Sequence, residues 1–305
     1  MDQRRACLVD AFTTEPLTGN AAGVVPDAAG LHDSQMQAVA AELGASETAF
    51  LTPSDEADRR VRYFTPTQEV DLCGHATIAS HALLADDGVL DPGEYTLETN
   101  AGVLDVEVAD DGLVWMTQNP AEVRQIDEGD LGYRRVAEAL NVDPAALTDI
   151  GADLPMAWAS TGLPFLVVPV NFLEHLGKMA PDTTAVEELT EEFDAAGVYA
   201  FTFDTLEAES TLHGRMFAPG AGVPEDPVTG TASGAVAAYL ERFGAIDTDA
   251  MTFEQGEFVD RGGRVHVEVP AAPTVDGVRV GGRAVTALDG TLLVPEHDEE
   301  EILEV

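Results

Sequence analysis

Apolar and polar positions along the chain follow two periods, and the switches between them mark out the elements. Between residues 31 and 43, Met36, Val39, Ala40 and Leu43 recur at i, i+3, i+4 and i+7, the repeat of an amphipathic helix. Asp33 or Ser34 is placed to cap it, and Gly44 to end it. Residues 5–12, 23–25, 46–51 and 61–64 are short apolar or alternating runs bounded by turn residues, which predicts strands. From 75 to 84 the small residues Ala76, Ala79 and Ala82 replace any polar face, as in a helix closely surrounded on several sides. Strands are predicted again near 95–99, 103–108 and 113–116. Residues 117–127, with Pro120 and no periodicity, read as a linker.

Beyond the linker the same grammar returns. Helices are predicted at 133–140 and 186–193, and strands at 164–170, 198–203 and 215–217. A second small-residue helix spans 232–243, with Val236, Tyr239, Leu240 and Phe243 at helical spacing. Short strands follow at 251–253, 265–269, 278–281 and 292–294, and residues 297–305 read as a frayed acidic tail. The stretch RYFTPTQEVDLCGHATIASHALL (62–84) is answered by RMFAPGAGVPEDPVTGTASGAVAAYL (215–240). Gly74, His75, Ala76 and Thr77 correspond to Gly230, Thr231, Ala232 and Ser233. A duplication about half a chain apart predicts two similar domains. They are an α+β pair, mostly strand, each with a helix wrapped by its sheet. The expected limits are 1–118, to which 289–300 can be added, and 119–288, with a site in the cleft between them.

Charge changes this picture only at the surface. There are 56 acidic against 15 basic residues, a net charge of −41, yet the acids are spread along the chain and 45% of residues are hydrophobic. That describes a folded protein with an acidic exterior. Clustered basic charge is lacking, so nucleic acid and anionic membranes are not expected partners. No apolar run approaches the ~20 residues of a membrane span, and MDQRRACLVD carries no signal core, so a cytoplasmic protein is expected. Fourteen of the basic residues are Arg and only Lys178 is Lys; with the acidity, this points to a salt-rich cytosol, that of a halophile. Cys7 and Cys73 give neither a disulfide framework nor a metal cluster.

The candidate chemistry gathers at the two glycine-led helices. A helix N-terminus offers free amides and a positive dipole end to an anion. Gly74 and Gly230 could each merely allow a tight turn, but duplication of the whole pattern favours a carboxylate site. His75, one residue into its helix, could meet substrate as a neutral imidazole or bond locally to its loop; its counterpart Thr231 has a hydroxyl and no basic nitrogen. Cys73 would gain reactivity at a helix start, but its counterpart Thr229 cannot act as a second base. A two-thiol racemase is thereby disfavoured, and Cys73 reads as a small packed residue. Asp226, held extended by Pro227, lies just before the second helix. Glu47, at a strand start among apolar neighbours, could titrate near neutrality and work as general acid or base; otherwise it is one more solvated acid.

Five ordered segments, DAFTTEPLTGNAAGVV, LGASETAFL, RYFTPTQEVDLCGHATIAS, EDPVTGTASGAVAAYL and VGGRAV, together resemble the PhzF-like (phenazine-biosynthesis) family, whose fold is similar to that of diaminopimelate epimerase. The resemblance runs through nearly the whole chain. It implies two domains, each a sheet rolled around a central helix, an active site in the cleft, a homodimer, and no cofactor or metal. It also implies that Glu47 moves a proton between substrate carbons while His75 and Asp226 assist. Gly74 with His75 and Gly230 with Thr231 would hold the substrate carboxylate, and Asn20 would face the cleft. Thr231 departs from the family's usual serine, and its extra methyl narrows the pocket. The expected activity is a cofactor-independent isomerase acting on a small carboxylate-bearing substrate. The alternatives are an amino-acid or hydroxy-acid racemase or epimerase, with Glu47 and Cys73 or His75 as opposed bases, and a non-catalytic small-acid-binding module.

Overall fold

The computed structural model describes residues 1–127, 129, 131–150, 154–270 and 277–296; the acidic tail expected at 297–305 lies outside them. Runs with one apolar face become strands, and the small-residue runs become the helices they enclose. In the first half these are β1 (Asp2–Ala11), β2 (Asn20–Val25), α1 (Asp33–Leu43), β3 (Glu47–Thr52), β4 (Arg59–Phe64), β5 (Glu69–Val70), α2 (Gly74–Asp86), β6 (Gly93–Thr99), β7 (Gly102–Val108) and β8 (Val114–Thr117). The second half has β9 (Glu122–Gln125), α3 (Tyr133–Leu140), α4 (Ala145–Thr148), β10 (Ala157–Ser160), β11 (Pro164–Pro169), α5 (Leu173–Lys178), α6 (Thr183–Glu192), β12 (Gly197–Thr202), β13 (Leu212–Ala218), β14 (Val223–Asp226), α7 (Gly230–Arg242), β15 (Ala250–Gln255), β16 (Gly263–Glu268) and β17 (Arg279–Gly282). A last strand, β18 (Ala284–Val294), ends the described chain.

The two halves pair their strands in the same order. One series runs β18–β1–β2–β3–β4–β6–β7–β8, and the other β9–β10–β11–β12–β13–β15–β16–β17. Each has parallel steps at the same two places: β2–β3 and β4–β6 in the first, β11–β12 and β13–β15 in the second. A parallel step needs a crossover, and α1 and α2, or α6 and α7, lie in those crossovers. β8 pairs antiparallel with β17, Met116 opposite Val280, and joins the series. The outer strand of each series follows the last strand of the other: β9 after β8, β18 after β17.

Residues 117–127 are therefore more than a linker. They contain β9, which pairs with β10, Glu122 opposite Ser160; four largely exposed residues are too few to show a period. The strand expected at 292–294 is the end of the longer β18, whose other residues are half-buried or exposed and do not alternate cleanly.

Residues 76–84 of α2 are buried without a break, as are 232–240 of α7. Alanine and glycine at these positions let the surrounding strands approach on every side. Side chains of both halves share the largest apolar core. The outer face of the first sheet is covered by α1, through Met36, Val39 and Ala40 against Phe50 and Phe64. Among the described residues no helix is long and apolar enough to cross a membrane.

Candidate active site

The repeat builds two equivalent helix starts. Arg62 grips Glu69 with two hydrogen bonds, from Nε at 2.7 Å and Nη2 at 2.6 Å, and Arg215 grips Glu225 in the same way at 2.8 and 2.7 Å. Forked pairs of this kind fix geometry as well as charge, and here they pin the short return strands β5 and β14 ahead of each helix. Cys73 and Thr229 are the corresponding N-cap residues. One turn on, Thr77 Oγ1 donates to the Cys73 carbonyl at 2.7 Å and Ser233 Oγ to that of Thr229 at 2.9 Å, which accounts for the hydroxyl common to both copies.

Glycine at 230 is a matter of space. A Cβ there would come within 2.8 Å of Phe12 Cζ, and Phe12 is buried with φ at +65°, a left-handed backbone unusual for a bulky side chain. At Gly74 a Cβ would stand 3.5 Å from Thr231 Oγ1. The two helix starts thus face one another at close range.

Between them lies a cleft of about 190 Å³ whose lining includes Glu47, Gly74, His75, Asp226, Gly230 and Thr231. Glu47 opens β3 opposite Ala22 of β2, and its Oε2 is 3.5 Å from His75 Nε2. Ser46 Oγ approaches the same nitrogen at 3.4 Å, and Cys73 Sγ is 3.4 Å from Nδ1. On the other side, Asp226 Oδ2 accepts from Thr229 Oγ1 at 2.5 Å and Oδ1 from Asn20 Nδ2 at 2.9 Å. Burial pushes the Asp226 carboxyl above the usual range; His75, Thr229 and Asn20 oppose the shift, and the negative Glu47 adds to it. Burial, reinforced by Glu47, likewise pushes the Cys73 thiol well up. The thiol is therefore held protonated, contrary to the activation that a helix start alone would give.

Six of the seven residues singled out from sequence line this cleft. Asn20 is the exception to its expected role. It is 3% exposed, and its amide is committed to Asp226 and to the Val228 carbonyl, each at 2.9 Å. It stands behind Asp226 as a support and is not among the residues that line the cleft. Gln255, at the end of β15, was not singled out: its Nε2 donates to the Asp226 carbonyl at 2.8 Å and to Thr229 Oγ1 at 3.2 Å. Thr229 joins it there, in place of a second base. No local signal marks Gln255, whereas the repeat does mark Thr229 as the partner of Cys73.

Glu47, Cys73 and His75 could also hold a metal ion, since one ligand atom of each lies within 4.8 Å of the others. Spacing along the sequence does not reveal this group. A thiol ligand binds as the thiolate, so an ion held there would displace the Cys73 proton.

The phenazine biosynthesis-like protein family (PhzC-PhzF) matches residues 9–290. Over 289 residues the chain is 38% identical to the uncharacterized isomerase YfhB of Bacillus subtilis, covering 93% of this chain and 97% of that protein. Its fold is similar to the crystal structure of a PhzF-family phenazine biosynthesis protein from Bacillus anthracis, with a TM-score of 0.88, 32% identity, and coverage of 96% of this chain and 100% of the other. It is also similar to a structure described as a predicted epimerase from Pseudomonas aeruginosa, at a TM-score of 0.79 and 33% identity over 96% and 100% of the two chains. With the duplicated helix starts and the cleft between them, these matches place the chain in the phenazine biosynthesis-like protein family.

Proposed function

We propose that the chain is a cofactor-independent isomerase that moves a proton on a carbon of a small carboxylate-bearing substrate, with Glu47 as general acid/base. The observation that carries this reading is the convergence of Glu47, His75 and Asp226, from three separate elements, beside two helix N-termini in one cleft. The substrate carboxylate lies between Gly74 and Gly230, where amides without carbonyl partners in their helices and the Thr231 hydroxyl can donate to it. Glu47 takes a proton from the adjacent carbon. The charge that develops toward the carboxylate is met by dipoles already in place, so no reorganisation is needed during the step. Glu47 returns the proton to another carbon on the same face, which regenerates its carboxylate, while Asp226, whose neutral form burial favours, and His75, with Nε2 beside Glu47 Oε2, hold the substrate and the base in place. The relatives' descriptions as isomerase and predicted epimerase support the reaction class.

Racemisation would need a second base on the far face of the substrate, and Cys73 is the group beside His75 that could be asked to serve. Cys73→Ala separates the two schemes: one-base transfer survives it with activity within a few fold, and thiol-based racemisation does not. The direct test is a panel of small carboxylic acids incubated with the protein in heavy water and followed by NMR. One acid should gain carbon-bound deuterium and change its double-bond position. Binding without exchange would favour a non-catalytic module. The homodimer implied by the family resemblance belongs to this proposal, and sedimentation of the purified chain decides it.

A further inference from the structure

The cleft does not end at the helix starts. A second chamber of about 350 Å³ adjoins it, and Leu72, Leu163 and Thr231 belong to the walls of both. The chambers differ in chemistry. The first brings Glu47, His75 and Asp226 around the reacting carbon. The second is lined by Leu104 and Met116 together with the neutral polar residues Thr117, Gln118, Asn119 and Thr161, and among the described residues its one charged lining residue is the exposed Asp71.

Its walls are tied to the second helix start. Thr161 Oγ1 donates to the Thr231 carbonyl at 3.4 Å, and Gln118 Nε2 to that of Gly230 at 3.3 Å. Met116 Sδ lies 3.5 Å from the place a Cβ would take at Gly74. A molecule anchored by its carboxylate at Gly74 and Gly230 therefore has the second chamber immediately beside it. Leu72 and Leu163 are 39% and 47% exposed, and such apolar groups at the junction lose water only when something bridges the two spaces.

We propose that the substrate is a two-part molecule: a carboxylate head in the first chamber, and an uncharged tail of ring or amide character that passes Thr231 and lies between Leu104, Met116 and the exposed amide of Asn119. This rests on the carboxylate reading of the first chamber. The second chamber offers no cation to an anionic tail, and Asp71 repels one, so a second carboxylate or a phosphate is disfavoured there. Apolar walls with an amide and hydroxyls among them suit a neutral ring or acyl amide. Thr231 itself stands at the junction, in the walls of both chambers.

Two probes with the same head test this. N-acetylglycine fills the first chamber, and N-benzoylglycine adds a neutral ring that reaches the second. Affinities are measured by NMR titration of the wild type and of Ala101→Trp and Leu104→Trp, which fill the second chamber from the β6–β7 turn and from β7 itself. The benzoyl compound should bind the wild type at least about tenfold more tightly. Both tryptophan variants, on the same hairpin, should lose that advantage while still binding N-acetylglycine, which also shows that they are folded. Equal affinity of the two probes for the wild type, or an advantage that survives both variants, overturns the two-part substrate and leaves the carboxylate site standing. If neither probe binds the wild type, the carboxylate reading fails and the tail proposal falls with it.

Discussion

Asp226 shows how one residue's surroundings set its role. Burial favours its protonated form, so the fold penalises the carboxylate. That cost is absent below the unfolded value, near ~3.9, and grows as pH rises through the raised folded value. Asp226→Asn should therefore keep or raise thermal stability at pH 8, by about 2–4 °C per kcal/mol relieved, while turnover falls roughly 10²- to 10⁴-fold. A melting temperature clearly below wild type at pH 8 would show that the ionised carboxylate holds the fold together. At this scale the sequence is only partly legible. The repeat exposes Gly74, His75, Gly230 and Thr231 because it marks them twice. Glu47 is one of 56 acids and outside the repeat, so family resemblance is what picks it out. Asn20 and Gln255 act on Asp226 from positions more than 200 and nearly 30 residues away, separations that no local pattern records.

The central helices illustrate the same limits at the scale of elements. Their small residues announce enclosure, and both are enclosed. The short β9 escapes notice because its partner β10 lies beyond a helical excursion and its own residues face solvent. Enclosure has a measurable consequence in α2. His81 is buried, its Nδ1 lies 2.9 Å from the Thr77 carbonyl, and burial lowers its pKa from 6.5 to about 4. As pH falls below 6.5 the unfolded chain takes up a proton that the folded helix refuses. That costs about 3 kcal/mol by pH 4, at roughly 1.4 kcal/mol for each pH unit. Urea unfolding at pH 7 and at pH 4.5 should show His81→Leu losing markedly less stability on acidification than the wild type. An equal loss in both proteins would contradict the buried neutral imidazole.

The whole molecule carries its charge as an excess of acids over a small, well-used set of arginines. Arg62 and Arg215 hold the hairpins that lead to the site, while Arg4, Arg5, Arg279 and Arg283 pair with acids near the surface. Exposed pairs contribute about 0–1 kcal/mol each and weaken in salt, whereas repulsion within a net charge of −41 is relieved by salt. The second effect should win, so raising KCl from 0.1 to 2 M should increase the melting temperature. A decrease would show that the arginine pairs outweigh the repulsion.

All of these scales meet in the cleft, where two copies of one motif present their helix starts to Glu47, the proposed base, which belongs to neither copy. The decisive measurement is the rate of solvent-deuterium incorporation into a carbon of a turned-over carboxylic acid, compared between wild type and Glu47→Gln. The account predicts a loss of roughly 10²- to 10⁴-fold, with unchanged folding and near-normal binding of the acid. Exchange at the wild-type rate in Glu47→Gln would contradict it.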